Sequence, residues 1–396
     1  MTEDVWQQVT RQLYPSQSTG VNNGADGTEN DKDRKDGDGD QDEENDIPLE
    51  KKTQVVNKLL AVESYALCVG MPGAGKSSLL NTYLNPSNDG IPKPTVALEY
   101  MFARRASVAN APKDVAHIWE LGGGSYVGDL VRVPITPRRF NQALYIIVLD
   151  LSKPSSILPH LIHWTEQIKA CVKLCVRELG RRDSTFADKL KKSTYAKLGR
   201  DHPDLRIVRP CPVPLVLVGN KYDTFKNQES VRKRTLAQAL RFIAHINGAS
   251  LLFCSIKDKN LKDVFRSTLN THLFRSSTSR RMCETNPEKP LVVSAGSDSL
   301  EDILKHTPAG TRREDFVSGN KSIAEGAMNA WGRAVEDVFG PADPDGKFAY
   351  PLPSRAGEED YSGGRESSSK GDDDNNNNSS NPFPEPSVDE RRAERE

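Results

Sequence analysis

The 396-residue chain has no run of 18 apolar residues, so the sequence predicts no membrane-spanning helix. Its first thirteen residues show no basic start followed by an apolar stretch, so no secretory signal is expected. Cysteine is sparse: six residues, at 68, 171, 175, 211, 254 and 283, none of them in a C-x-x-C pair. That spacing argues against a zinc ribbon, and reduced thiols in a cytosolic chain are the simplest reading. Apolar residues are also scarce, at 36% with a mean hydropathy of −0.61, so part of the chain is expected to be disordered. No aromatic-interleaved basic segment and no zinc-finger spacing is present, so nucleic acid is not an expected partner.

Net charge is close to zero, at −1, but it is unevenly placed. Residues 26–46 carry −8 and residues 341–396 carry −7, which leaves +14 on the remainder. Two acidic tails therefore flank a basic body of a kind that suits an acidic protein partner or a phosphate ligand. The basic pairs Arg104-Arg105, Arg138-Arg139, Arg181-Arg182 and Lys191-Lys192 are scattered and read as solvated faces. The acidic run Asp36-x-Asp38-x-Asp40 resembles a calcium loop only superficially, because Gln41 stands where the turn needs glycine.

Residues 1–15 are expected to form a short amphipathic helix, with Val5, Trp6, Val9 and Leu13 on one face. Residues 16–50 read as a disordered acidic linker. From about 51 to 280, short apolar runs alternate with amphipathic ones. The runs at 64–69, 115–119, 143–149, 213–218 and 250–254 predict buried strands. Leu158, Leu161, Ile162, Ile168, Val172, Val176 and Leu179 mark a helix over 156–179, and 229–246 predicts another, with Gly248 near its C-terminal cap. Strands alternating with helices imply a mostly parallel sheet with helices on both faces. Cys171 and Cys175 share a helix face but lack partners, so packing is the expected role rather than metal binding. His160 and His163, earlier on the same helix, are read likewise. The sheet pattern is expected to stop near 280. Residues 291–304 read as a short strand and helix, and 329–339 as a further helix. Residues 281–340 thus form a helical extension packing on the preceding domain or on a partner, and 341–396 a disordered tail.

One motif carries chemistry. Gly70-Met71-Pro72-Gly73-Ala74-Gly75-Lys76-Ser77 is a complete G-x-x-x-x-G-K-[ST] phosphate loop between a predicted strand and a predicted helix. The backbone N–H groups of Gly70, Gly73, Gly75 and Ser78 are placed to wrap phosphates at a helix N-terminus. Lys76 would reach the β/γ-phosphates, and the Ser77 hydroxyl would ligate Mg²⁺ if nucleotide binds. After the strand 213–218 comes Asn220-Lys221-Tyr222-Asp223, an N-K-x-D guanine motif. The Asp223 carboxylate can accept two hydrogen bonds from the guanine edge, which adenine cannot supply. Asn220 would brace the loop or meet the base edge, and the Lys221 stem would cover the ring. Ser255-Ile256-Lys257 is a weaker match to the loop that contacts guanine.

The catalytic half fits less well. Thr95 lies where a first switch would supply a Mg²⁺-binding threonine, or else starts a strand over 96–102. The D-x-x-G position reads Glu120-Leu121-Gly122-Gly123, one methylene too long at its first residue. Gly124 stands where active relatives carry the water-orienting Gln. Such a site implies a guanine-nucleotide fold with GDP or GTP and Mg²⁺ as the only expected cofactors, and with very slow or absent turnover.

Lys93-Pro94-Thr95-Val96-Ala97-Leu98-Glu99-Tyr100, Trp119-Glu120-Leu121-Gly122-Gly123-Gly124 and Asp150-Leu151-Ser152-Lys153-Pro154 together resemble the dynein light intermediate chain family, over about 52–305. The block 92–124, with Asp201-His202-Pro203-Asp204 and Leu240-Arg241-Phe242-Ile243-Ala244-His245, is similar to the dynein-2 branch. The resemblance implies a Ras-like P-loop fold over 51–280, used as a non-catalytic module that clamps the dynein-2 heavy-chain tail. It implies intermediate and light chains in the same complex, intraflagellar transport trains as cargo machinery, and only indirect contact with microtubules. The implied location is cytoplasm, basal body and ciliary axoneme. The competing expectation is a Ras-like GTPase switch controlling trafficking partners, which must change partner affinity with nucleotide state.

Overall fold

The computed structural model describes residues 62–86, 90–105, 113–122, 124–199, 201–276, 281–306 and 321–342. The chain divides into two units, Met1–Leu60 and Ala61–Glu396, and every described residue lies in the second. The helix expected over 1–15, the acidic linker 16–50, nearly all of the tail 341–396 and Gly123 lie outside the described residues.

Five strands form the parallel centre: β1 (Glu63–Gly70), β3 (Asp114–Leu121), β4 (Ala143–Asp150), β5 (Leu215–Asn220) and β6 (Ser250–Phe253). β2 (Leu98–Arg105) joins antiparallel to β3. The order across the sheet begins β2-β3-β1-β4-β5-β6. With a phosphate loop after β1, this is the Ras-like arrangement, and the β1/β4 boundary is where strand order reverses. All eight positions of β4 are buried, and so are all six of β5. A strand buried on both faces needs cover on both, which is why these runs read as continuous Val/Ile/Leu rather than as alternation.

The cover comes from α1 (Lys76–Leu84), α2 (Ile157–Arg182), α3 (Phe186–Leu198), the single turn α4 (Tyr222–Phe225), α5 (Ser230–Ile246) and α6 (Lys259–Leu273). On α2 the buried residues Ile157, Leu161, Trp164, Ile168, Cys171, Val172 and Cys175 follow helical spacing. Cys171 and Cys175 are both buried, and the Tyr145 hydroxyl donates to Cys171 Sγ at 3.5 Å. Both therefore pack in the core. Helix α6 has a genuine N-cap, with Asp258 Oδ1 accepting from Asn260 N at 2.8 Å and Leu261 N at 3.3 Å. Gly248 closes the end of α5 at φ +60°, a left-handed position.

Four expectations are corrected. The strand read at 213–218 starts at Leu215, because Pro212 and Pro214 lack the N–H that a ladder needs. The strand read at 96–102 runs over Leu98–Arg105, so Thr95 precedes it. The sheet does not stop near 280: β7 (Cys283–Glu284) and β8 (Val292–Val293) continue it, in the order β6-β8-β7 and antiparallel. β8 and the helical turn Leu300–Ile303 are the short strand and helix read at 291–304, whereas β7 is too short to leave a periodic signal. The helix read at 329–339 spans Lys321–Phe339 (α8, after the single turn α7, Leu300–Ile303) and buries Trp331 against Phe242 of α5, with ring centroids 6.2 Å apart.

A buried polar clamp ties α5 to the segments around 204 and 298. Arg241 makes a two-pronged pair with Asp298, Nε to Oδ2 at 2.8 Å and Nη2 to Oδ1 at 2.7 Å. The Asp204 carboxylate meets His245 Nε2 at 2.9 Å and accepts Leu300 N at 2.8 Å. Asp298→Ala would strand the Arg241 charge in a buried site and is expected to cost about 3–5 kcal/mol. Urea unfolding measures the loss, and a second change, Arg241→Met, is expected to recover part of it.

Candidate nucleotide site

The loop between β1 and α1 is shaped by its glycines. Gly70 has φ +143°, and a Cβ there would lie 2.0 Å from Val148 O of β4. Gly75 has φ +85°, and its Cβ would strike Asn220 Nδ2 at 2.6 Å. Both positions are closed to other residues by strain and by contact. Met71 N donates to Val148 O at 3.2 Å, so the loop rests directly on β4.

Every expected site residue among the described ones sits at the C-terminal edge of the parallel strands or in the loops beyond it. Lys76 is buried, and its ammonium donates to Met71 O at 3.1 Å and Gly70 O at 3.3 Å. Burial holds its pKa below the usual lysine range. Ser77 Oγ donates to Glu120 Oε1 at 2.7 Å and lies 3.5 Å from Thr95 Oγ1. The longer acid at 120 therefore reaches the phosphate-loop serine directly. Thr95 Oγ1 also donates to Glu99 Oε2 at 2.8 Å. Glu120 is almost fully buried, and that burial pushes its pKa up against the opposing bond from Ser77.

The guanine-side residues converge on one cleft. Asn220 Nδ2 donates to Ala74 O at 2.7 Å, which braces the phosphate loop as expected. Ser255 Oγ donates to Asp223 Oδ1 at 2.7 Å, and Lys257 Nζ reaches Asp223 Oδ2 at 2.6 Å. Burial raises the Asp223 pKa, but the bonds from Lys257 and Ser255 outweigh it and hold the carboxyl below its usual range. A cleft of about 310 Å³ is lined by Gly73, Gly75, Ser78, Asn220, Asp223 and Lys257, among others. Two buried oxygens, Glu120 Oε2 and Asn220 Oδ1, have no hydrogen-bond partner among the described residues. Such atoms are costly in a finished core, and they fit a site built to meet a polar ligand. The residues present therefore fit the chemistry of a guanine nucleotide, and Ser77, Thr95 and Glu120 are the oxygen donors that would hold a divalent cation.

A model of the dynein light intermediate chain family matches residues 41–192. Over 279 residues the chain is 35% identical to the cytoplasmic dynein 2 light intermediate chain 1 of Homo sapiens, spanning 70% of this chain and 77% of that one. This chain belongs to the dynein light intermediate chain family. Its similarity to the cytoplasmic dynein 2 light intermediate chain 1 of Danio rerio is also 35%, over 68% of this chain and 73% of that one. These matches place it with the dynein-2 branch. A crystal structure of the dynein light intermediate chain's conserved domain aligns with 70% of this chain and 92% of its own, at 15% identity and a TM-score of 0.47.

In this light intermediate chain one site residue escaped sequence reasoning. Lys221, with φ +64°, turns its ammonium to Asp150 Oδ2 at 2.5 Å. Asp150 closes β4, is nearly inaccessible, and had been noted only as part of a family-like stretch. A carboxylate ending a fully buried strand at the point of strand-order reversal is the signal that could have found it. Among the described residues, the single cluster of three possible metal ligands is His202, Asp204 and His245, away from this cleft. Its ligand atoms are already bonded: His202 Nδ1 accepts Asp204 N at 3.1 Å, and His202 Nε2 meets Asp298 O at 3.0 Å.

The raised pKa of Glu120 gives a pH prediction. A carboxyl with a raised folded pKa favours the fold below the unfolded value, and that stability is lost as pH rises through the folded value. Glu120→Gln keeps an acceptor for Ser77 and removes the buried charge. The nucleotide-free variant is expected to melt higher than the parent at neutral pH and equally below about pH 4, where the parent acid is protonated in both states. Thermal melts across pH test this; a variant less stable at pH 7 would contradict it.

Proposed function

We propose that the chain is a non-catalytic subunit of the cytoplasmic dynein-2 motor. In this reading it binds the heavy-chain tail, with intermediate and light chains in the same complex, and supports motor assembly and retrograde intraflagellar transport in cilia. It works in cytoplasm, basal body and axoneme, and meets microtubules only through the motor. The observation that carries the reading is the 35% identity to cytoplasmic dynein 2 light intermediate chains over 279 residues.

The site adds to it. A bound guanine nucleotide with Mg²⁺ would supply phosphate charge and a cation for the loop to close around. The chain's own residues hold and orient: Lys76 and the loop N–H groups for phosphate, Asp223 for the base, Ser77 for the cation. At the position where active switches carry the water-orienting Gln, Gly124 offers no side chain. Ser77 is bonded to Glu120 and Asp223 to Lys257 within the chain, contacts that support a scaffold role for the module. Bound GDP or GTP then acts as a structural cofactor; at 100 times its Kd it would add about 2.7 kcal/mol of stability.

The decisive experiment is mass spectrometry of proteins retained by a tagged copy from ciliated cells. Dynein-2 heavy and intermediate chains are expected. Recovery of exchange factors or membrane-traffic effectors without a dynein heavy chain would overturn the reading in favour of a GTPase switch. Lys76→Ala is expected to abolish nucleotide release on denaturation, read by chromatography of the supernatant, while heavy-chain recovery stays within about twofold. Heavy-chain recovery that depends on Lys76 or on the nucleotide added would instead support a switch.

A further inference from the structure

β2 ends the sheet, and among the described residues its outer edge pairs with nothing. It is an unusually open edge. Eight consecutive residues pair with β3 in one register without a bulge, and the strand holds no proline; its charges are Glu99, Arg104 and Arg105, of both signs. Natural sheets usually blunt such edges, because unpaired N–H and C=O groups recruit another strand. Ala97 O accepts Gly122 N at 2.7 Å, which fixes the phase of the ladder. By alternation, Glu99, Met101 and Ala103 direct their main-chain groups at β3, and Tyr100, Phe102 and Arg104 direct theirs outward.

The side chains along this edge are exposed and aromatic. Tyr100 is 50% exposed and Phe102 49%. Tyr100 is nevertheless held in place. Its hydroxyl meets His117 Nδ1 at 2.8 Å, and its ring lies 5.2 Å from that of Trp119. The Arg139 guanidinium covers the neighbouring Tyr65 at 4.9 Å and Trp119 at 5.4 Å. Little side-chain entropy remains to be lost when such a face is covered.

We propose that β2 is a self-complementary edge, and that its partner is a second copy of this chain, added antiparallel about a two-fold axis at Phe102. The choice of occupant comes from charge. With Phe102 opposite Phe102 of the second copy, Glu99 falls opposite Arg105, and Tyr100 opposite Arg104. Each copy thus offers an ion pair on one face, and on the other an Arg–aromatic contact like the one Arg104 already makes over Phe102 at 5.0 Å. Shifting the axis to Met101 puts Glu99 opposite Ala103 and leaves both charges without a partner. The geometry is isologous and closed, so it yields a dimer and no fibre. Among the described residues, Arg105 bonds Ser276 of its own chain through Nη1 and lies over the Phe274 ring at 5.7 Å, so its other nitrogens can turn to Glu99 of the second copy.

Sedimentation of the full chain, from roughly 1 to 100 µM, tests the proposal in the range of a small interface. A concentration-dependent dimer is expected. Phe102→Lys and Glu99→Arg each place like charges at the interface on solvent-exposed positions, and each is expected to weaken dimerisation about tenfold or more. The double variant Glu99→Arg/Arg105→Glu restores the opposite charges in the same register and is expected to return to within about threefold of the parent. A monomer throughout the range would overturn the proposal, as would a dimer that neither single substitution weakens. Failure of the double variant to recover would overturn the Phe102-centred register. None of these outcomes bears on whether the chain joins a dynein motor.

Discussion

The contact on which the rest depends is the seating of the phosphate loop on β4. Gly70 lies so close to Val148 that any side chain there would overlap its carbonyl oxygen. That approach brings the end of β1 against the end of β4, where Asp150 stands. Asp150 in turn receives Lys221 from the end of β5, and Asn220 beside it reaches back to Ala74. Three parallel strands are thereby tied at one edge, and the cleft is the space these ties leave. Its walls follow from strand packing, which burial on both faces makes stiff.

Inside that frame the chain answers its own polar groups. Lys76 turns to loop carbonyls, Ser77 to Glu120, and Asp223 to Lys257 and Ser255. A phosphate or a base would have to displace these bonds, so the gain on binding is a difference between two satisfied states. Glu120 departs furthest from a switch protein: its extra methylene lets a carboxylate touch the serine directly. The same residue leaves one oxygen buried and unmatched, which is the local cost of that reach.

Much of this was legible in the chain. The central strands announced themselves as short apolar runs, because burial on both faces leaves no polar alternation to confuse the reading. The phosphate loop and Asn220-Lys221-Tyr222-Asp223 have fixed spacing imposed by backbone geometry. What could not be read were pairings across long separations. The Lys221–Asp150 contact joins residues whose nearness exists only once β4 and β5 lie side by side. A short strand is legible near β8, but the two-residue β7 that pairs with it leaves no signal. The Arg241–Asp298 clamp joins two charged residues far apart in sequence, and both are buried.

The last described helix also sets a limit on what can be removed from this chain. Trp331 is buried against Phe242, and the Arg232 guanidinium lies 5.7 Å from the ring of Phe339. Helix α5, which carries Phe242 and Arg232, follows the turn holding Asp223 by only a few residues. A gene product stopped by a premature codon ahead of residue 331 would leave an apolar stripe of α5 open to water. Cellular quality control reads such stripes as damage. Truncating alleles of this region would thus act by lowering the amount of protein, even though the phosphate loop and the guanine motif are both still encoded.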